Sequence, residues 1–351
     1  MAQLLALVEK TKPYPLAVAG PADFRCEPVA SVDPGIVLTE PGHSLYCLDH
    51  DTRRALFTRT DVDPDGAPFY FQAQYEHATG LVALSYDELH ALATPGEPSG
   101  VFLYSTGRCG STLVAAALAE RGGLTGLSEP DVLTQLVMLA PRLPEPELRE
   151  LTRSCVRLLS LGRPVAVKPR SFVIELAWLL REEFPQFASV FLYREPLSWA
   201  RSTARAFAGY DPALNTDPAA VQDRLGRLIP LVARWRQRVG RLLSPEEVMA
   251  CQWVAQLERA LALRHRGVDV FTATYEDLLA DPPGVLKSLF AHCGLAAPSG
   301  LDEILARDSQ EGTTLSRSAT AARDGEHRAD LGFDEAALMR TVAELWVEAL
   351  R

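Results

Sequence analysis

Val101-Phe-Leu-Tyr-Ser-Thr-Gly-Arg-Cys-Gly-Ser-Thr112 is the stretch that decides how this chain is read. An apolar run of strand length passes into a turn holding Gly107, Arg108, Cys109 and Gly110, then into two hydroxyls, Ser111 and Thr112. The alanine-rich run Leu113–Arg121 directly after it predicts a helix. Strand, glycine turn and helix start together form an anion cradle. The first amides of a helix have no intrahelical acceptor, and its macrodipole favours negative charge at that end. Glycine belongs where the chain turns sharply or approaches a ligand closely. The stretch therefore predicts a phosphate site.

Downstream, strands and helices alternate. Val101–Ser105, Pro164–Val167, Ser189–Tyr193 and Val268–Thr274 have the length and composition of strands. Helical patterns lie between and beyond them: Thr112–Arg121, Glu145–Leu161, Phe172–Phe184, Leu197–Phe207, Ala219–Gly240, Pro245–Arg266, Pro283–Cys293 and Asp334–Leu350. This order predicts an α/β fold with a parallel sheet covered on both faces. Residues 1–97 differ: they are rich in proline, and Ser44–Leu48, Arg54–Thr58, Pro68–Gln72 and Leu81–Ser85 read as short strands. A small β-containing segment over 1–97 and a larger domain over 98–351 are expected, with Thr94–Gly100 as the joint.

The turn is not a Walker A loop, since its cation precedes the second glycine and no lysine follows it. No strand ends in the acidic residue that would hold magnesium, so no metal is expected. The strand Ser189–Tyr193 ends instead in Arg194-Glu-Pro, and a cation at such a strand end faces the crevice where open α/β sheets bind ligands. Ser202, eight residues after Arg194, lies two turns into the next helix and is expected to meet the same anion.

With these motifs in place, the chain resembles the sulfotransferases that use 3′-phosphoadenosine 5′-phosphosulfate (PAPS). In that family a strand–loop–helix of the form Pro-Lys/Arg-Ser-Gly-Thr-Thr grips the 5′-phosphosulfate, and Arg-x-Pro with a serine eight residues after the arginine grips the 3′-phosphate. Arg108-Cys-Gly-Ser-Thr112 is similar to the first, with Cys109 where serine is usual; Arg194-Glu-Pro-Leu-Ser-Trp-Ala-Arg-Ser202 is similar to the second. The later Tyr275-Glu-Asp-Leu…Asp281-Pro282 resembles a third family segment. The resemblance covers residues 101 to about 293 and implies a P-loop-type fold and PAPS as co-substrate. Gly107, Arg108, Cys109, Gly110, Ser111, Thr112, Arg194 and Ser202 would hold it. It further implies transfer of a sulfuryl group to a hydroxyl or amine of a small-molecule or peptide acceptor.

That transfer needs a group to take the acceptor's proton. The cytosolic branch places a histidine two residues after a strand-end lysine. Here Lys168 is followed at that position by Arg170, which stays protonated and is a poor base. Glu129, 21 residues after Arg108, is similar in placement to the glutamate of the tyrosylprotein sulfotransferases. It is therefore assigned as base, with Lys168 as a second cation near the bridging oxygen and Arg108 carrying charge on the leaving group. Ser309, Thr313, Ser316 and Arg317 lie about where C-terminal cofactor contacts fall in the family. Two other readings stay open: a P-loop kinase-like phosphotransferase, and a non-catalytic nucleotide-binding protein on the same fold.

Composition limits the alternatives. The net charge of −10 leaves no excess of cations to cover a nucleic-acid backbone, so no nucleic-acid partner is expected. Six scattered cysteines without zinc spacing favour a reducing compartment, hence a cytoplasmic protein. No apolar run reaches the length of a membrane span, and the apolar start is too short for a secretory leader. Single residues also have plainer readings. Arg194 and Ser202 also read as a surface cation and a back-bonded helix serine, but their spacing favours ligand binding. Glu129 fits the first turn of a helix, and the five tryptophans fit the core. Tyr275–Leu278 reads as structural, Asp281 as a helix cap, and Arg317–Arg328 as a solvated loop or a flap.

Overall fold

The structure is a computed structural model describing residues 1–93, 96–207, 217–311, 313, 315–316, 318 and 334–349. Thr94, most of the polar stretch Arg317–Arg328, and Leu350 of the expected last helix lie outside the described residues. By their contacts the residues fall into two units. One comprises Met1–Phe102, Leu118–Arg170 and Leu179–Phe187; the other comprises Leu103–Ala117, Ser171–Trp178 and Ala188–Arg351.

In the first unit, β1 (Ala2–Lys10), β2 (Phe24–Val32), β3 (His43–Asp49), β4 (Arg54–Thr60) and β5 (Ala78–Ser85) form an antiparallel sheet in the order β2-β1-β5-β4-β3. Leu81-Val-Ala-Leu84 is buried throughout, as a central strand covered on both faces must be. The edge strand β2 is exposed over most of its length, and Pro28 sits where its register against β1 shifts. A residue without an N–H is tolerated at such an edge bulge. That proline masked β2 in the sequence, and β1 lacks a clear alternation, so neither strand was expected. Pro68–Gln72 is not a strand. After α1 (Ile36–Thr39), the second helix α2 (Tyr70–Glu76) occupies this region. Its buried residues Tyr70, Phe71 and Gln74 follow helical spacing, and the aromatic run Phe69–Phe71 had imitated strand composition. Helix α3 (Tyr86–Leu92) starts at a capping box between Ser85 and Glu88.

The second sheet contains β6 (Gly100–Ser105), β7 (Thr125–Ser128), β8 (Val165–Lys168), β9 (Ala188–Tyr193) and β10 (Val270–Thr274), in the order β10-β9-β6-β8-β7 with parallel pairing. This is the expected parallel sheet; β7 is an addition, too short and glycine-broken to stand out in the sequence. The helices between and beyond these strands are α4 (Ser111–Gly122), α5 (Asp131–Leu139), α6 (Glu145–Ser160), α7 (Ala177–Glu183), α8 (Pro196–Phe207), α9 (Pro218–Leu228), α10 (Pro230–Val239), α11 (Pro245–His265), α12 (Tyr275–Ala280), α13 (Pro282–His292), α14 (Leu301–Ala306) and α15 (Glu335–Ala349). The single helix expected over Ala219–Gly240 is two. Pro230 lacks an N–H and forces Ile229 out of helical geometry, to φ −134° and ψ 88°. The Phe172–Phe184 pattern opens as a 3-10 turn, Ser171–Leu176, before α7. Asp281 caps α13 as expected, accepting from the Gly284 amide at 3.0 Å with prolines in the first turn. Among the described residues no helix is long and apolar enough to cross a membrane.

Within the first unit, α5 ties the antiparallel sheet to the turn that precedes the helix. Asp131 Oδ2 accepts the Ala19 amide at 2.7 Å. One turn later, Gln135 accepts the Leu48 amide at 2.7 Å and donates to the Leu48 carbonyl at 3.2 Å. Positions i and i+4 share a helix face, so one face of α5 serves two backbone segments. Gln135→Ala leaves both groups of Leu48 without that side chain and is expected to cost about 1–3 kcal/mol. Urea denaturation should show a lower midpoint at an unchanged slope.

Candidate functional site

In the second unit, the strand–turn–helix motif forms as read. Thr106 donates its amide to the Leu192 carbonyl at 3.0 Å, which carries β6 one residue past its strand end. Gly107 and Gly110 then take φ of +73° and +81°, and Arg108 between them takes +52°. Arg108 and Glu129 are two of the four non-glycine residues with left-handed φ among the described residues. Such backbone costs energy and persists where the surroundings dictate it, often at functional turns. Gly110 has a second reason to be glycine. A Cβ there would sit 2.6 Å from Leu278 Cδ2, so the Tyr275–Leu278 segment packs directly on the turn. Ser111 is buried at the start of α4 and Thr112 half-buried beside it. Cys109 is buried, with its thiol 3.4 Å from the Leu192 carbonyl, so it faces the interior.

The guanidinium of Arg108 reaches across to α8. Its Nε lies 3.3 Å from Ser202 Oγ and its Nη1 3.2 Å from Gln310 Oε1. Arg194 donates from Nη1 to the Arg108 carbonyl at 3.2 Å and from Nε to Ser198 Oγ at 3.0 Å, and lies 4.2 Å over the Tyr275 ring. Both arginines are half-buried, and among the described residues no carboxylate pairs with either. Burial, and after it the positive charge of Arg194, pull the Arg108 guanidinium below its ordinary value. Glu195 and Glu276 bond Ser198, at 2.8 Å to its amide and 3.4 Å to its hydroxyl, and leave the two confined guanidinium groups able to receive an anion.

The structure thus brings Arg108, Arg194 and Ser202 together. It differs from the expectation in one respect: Ser202 receives the side chain of Arg108, while Arg194 takes Ser198, one turn earlier. Ser198 went unnoticed although it stands four residues after Arg194, the spacing that faces an arginine at a helix entry. Gln310 was passed over for its neighbours Ser309 and Thr313; it is held by a turn in which its amide meets Asp308 Oδ1 at 3.1 Å. Tyr275, read as structural, also supplies the stacking face for Arg194. Arg317 lies outside the described residues.

The first unit holds the other expected residues. Glu129 follows β7 with φ +62°, and its amide donates to the Lys168 carbonyl at 2.6 Å. The Lys168 ammonium is buried, 2.7 Å from Glu129 Oε1, 3.3 Å from Ser128 Oγ and 5.8 Å over the Phe69 ring. Glu129 is not a first-turn helix acid; that position belongs to Asp131. Arg170 is committed elsewhere: its Nε lies 2.8 Å from Asp131 Oδ1, its Nη1 donates to the Leu16 carbonyl at 2.8 Å, and it stacks 4.2 Å over Phe71. Its nearest approach to Glu129 is 3.9 Å. The arginine at the position of the cytosolic histidine is thus one arm of a buried ion pair. Glu129 and Lys168 form a carboxylate–ammonium pair that can take or hold a proton. Among the described residues no group of three or more His, Cys, Asp or Glu side chains is placed to hold a metal.

Burial holds the Asp131 carboxyl above its ordinary value against the downward pull of Arg170. Arg170→Met leaves Asp131 buried without that guanidinium and is expected to cost about 3–5 kcal/mol at neutral pH. The folded variant then keeps a proton that the unfolded chain releases above pH of about 4. The wild-type carboxyl is itself raised, so the variant's deficit should widen as pH climbs above that raised value towards 7 and narrow below it, which denaturation at a series of pH values measures.

No protein-family model matches this chain, and no curated protein does. Among solved structures it is similar to the sulfotransferase domain from the curacin biosynthetic pathway, at 16% identity over 72% of this chain and 98% of that one, with a TM-score of 0.38. A sulfotransferase from Alicyclobacillus acidocaldarius matches at 17% identity over 68% and 97%, with a TM-score of 0.36. A sulfotransferase from Mycobacterium tuberculosis matches at 13% identity over 73% and 78%, with a TM-score of 0.40. These solved neighbours are sulfotransferases, too distant to bear on this chain's chemistry, which rests on its own side chains.

Proposed function

We propose that this chain is a PAPS-dependent sulfotransferase, acting on a hydroxyl or amine of a small-molecule or peptide acceptor. The observation that carries the reading is the arginine pair, Arg108 and Arg194, half-buried together with serine hydroxyls and, among the described residues, in no ion pair with a carboxylate. A ligand with a phosphate at each end of an adenosine fits these residues. The glycine turn and the start of α4 supply backbone amides for one anion, and Arg194, Ser198 and Ser202 supply side chains for the other. Arg108 serves both, since its main chain belongs to the turn and its guanidinium points to Ser202.

In this reading Gly107, Arg108, Cys109, Gly110, Ser111 and Thr112 hold the 5′ end, and Arg194 and Ser202 the 3′-phosphate. When bound, PAPS supplies the sulfuryl group and a phosphate as leaving group. The protein's work is positioning and neutralising charge on a phosphate oxygen. Arg108 is assigned that charge, with Lys168 as the second cation. Glu129 accepts the acceptor's proton at its carboxylate, and Lys168 holds the carboxylate for that task. Residues 98–351 are the transferase domain in this proposal, and residues 1–97 shape the acceptor's surroundings. Phe69 under Lys168 and the tie of Leu16 and Ala19 to Arg170 and Asp131 support that role. The scattered cysteines, without zinc spacing, support a reducing compartment.

Adenosine 3′,5′-bisphosphate should raise the melting temperature far more than ATP with magnesium; at a hundredfold excess over Kd the stabilisation is about 2.7 kcal/mol. Arg108→Ala or Arg194→Ala should abolish the shift. Glu129→Gln should keep the shift and lose turnover of a PAPS-dependent assay. A response to ATP equal to or above that to the bisphosphate would overturn the reading in favour of a phosphotransferase.

A further inference from the structure

Two buried indoles each spend their only hydrogen bond on one of the two anion-binding turns. Trp199 of α8, 1% exposed, donates from Nε1 to the Thr106 carbonyl at 2.9 Å. Trp253 of α11, 8% exposed, donates from Nε1 to the Arg194 carbonyl at 2.9 Å. Thr106 immediately precedes Gly107, and Arg194 is itself a member of the arginine pair. An indole has one donor and no acceptor, and a buried one nearly always finds a partner. Here the two partners are backbone carbonyls in the two motifs the site is built from.

A trans peptide is planar, so fixing a carbonyl fixes the next amide to point the opposite way. Trp199 holds the Thr106–Gly107 peptide with its carbonyl towards the core and the Gly107 N–H directed away from it. That N–H has one weak contact, 3.3 Å to Ser105 Oγ. Trp253 does the same for the Arg194–Glu195 peptide, from which the Arg194 side chain departs towards Ser198. The left-handed residues 107, 108 and 110 leave the turn little regular hydrogen bonding of its own, so an outside donor is what settles the plane at its entry.

We infer that Trp199 and Trp253 are positioning residues for anion binding, the first for the 5′-phosphate turn and the second for the 3′-phosphate arginine. This rests on the function proposed above and deepens it. Trp→Phe keeps a smaller aromatic ring in each core position and removes the donor. Titration calorimetry of the wild type, Trp199→Phe and Trp253→Phe with adenosine 3′,5′-bisphosphate, 5′-AMP and 3′-AMP tests it. Loss of one hydrogen bond predicts about five- to tenfold weaker binding of the bisphosphate by each variant. The two mononucleotides divide the roles. Trp199→Phe should weaken 5′-AMP and spare 3′-AMP, and Trp253→Phe the reverse.

A merely structural tryptophan lowers the melting temperature of the free protein without moving that ratio. Unchanged affinities, or an equal loss for both mononucleotides, would overturn the inference. A wild type that does not bind the bisphosphate would instead overturn the proposed function. Should either phenylalanine variant fail to fold, its leucine counterpart, which likewise lacks the donor, replaces it in the same titration.

Discussion

Like charges confined at low dielectric repel, and a protein keeps them together only when something else in the fold insists on it. Arg108 and Arg194 are such a pair. One is fixed by a left-handed turn between two glycines, the other by a strand end, a serine four residues on and a tyrosine face. Neither is neutralised by a carboxylate among the described residues, although the chain as a whole carries an excess of ten negative charges. The acids nearest this place bond other partners: Glu195 and Glu276 meet Ser198, and Asp308 meets the Gln310 amide. The serines, Gln310 and the two indole-bound carbonyls are arranged around the arginine pair.

The first unit solves a different electrostatic problem. It buries carboxylates and cations in matched pairs, Glu129 with Lys168 and Asp131 with Arg170. The two pairs come close, with Arg170 Nε 3.9 Å from Glu129, yet each cation has a carboxylate of its own at shorter range. Asp131 therefore does two things: it satisfies Arg170, and through the Ala19 amide it ties the antiparallel sheet to the turn bearing Glu129. A buried pair of this kind adds little net stability but makes the loss of either partner costly.

What the sequence disclosed followed from how local the determining physics is. The glycine turn, the cap at Asp281 and the parallel strands β6, β8, β9 and β10 are written in short-range composition, and they formed as expected. The pairing of Arg108 with Ser202 was half-legible: the motif named both residues, and only tertiary packing determined which arginine met which serine. Ser198 and Gln310 carry no motif of their own. Strand β2 was hidden because a proline at an edge bulge looks like a loop residue in sequence, and β1 because its apolar residues do not alternate clearly. Pro68–Gln72 misled in the opposite direction, its aromatics imitating a strand while their burial follows a helix. Tryptophans 199 and 253 were read as core, and they are; the destination of each indole N–H is invisible in one dimension. Trp178 departs from that reading, being 36% exposed with Arg266 4.4 Å over its ring.

The contact between Gly110 and Leu278 couples two segments that lie far apart in the chain. Any side chain at 110 needs the leucine to retreat, and a smaller residue at 278 opens a void over the turn without curing the backbone's handedness. Neither position can drift alone, and drifting together still leaves a left-handed residue to accommodate. The glycine at 110 is thus demanded by packing and by backbone handedness together, independently of anything the turn binds.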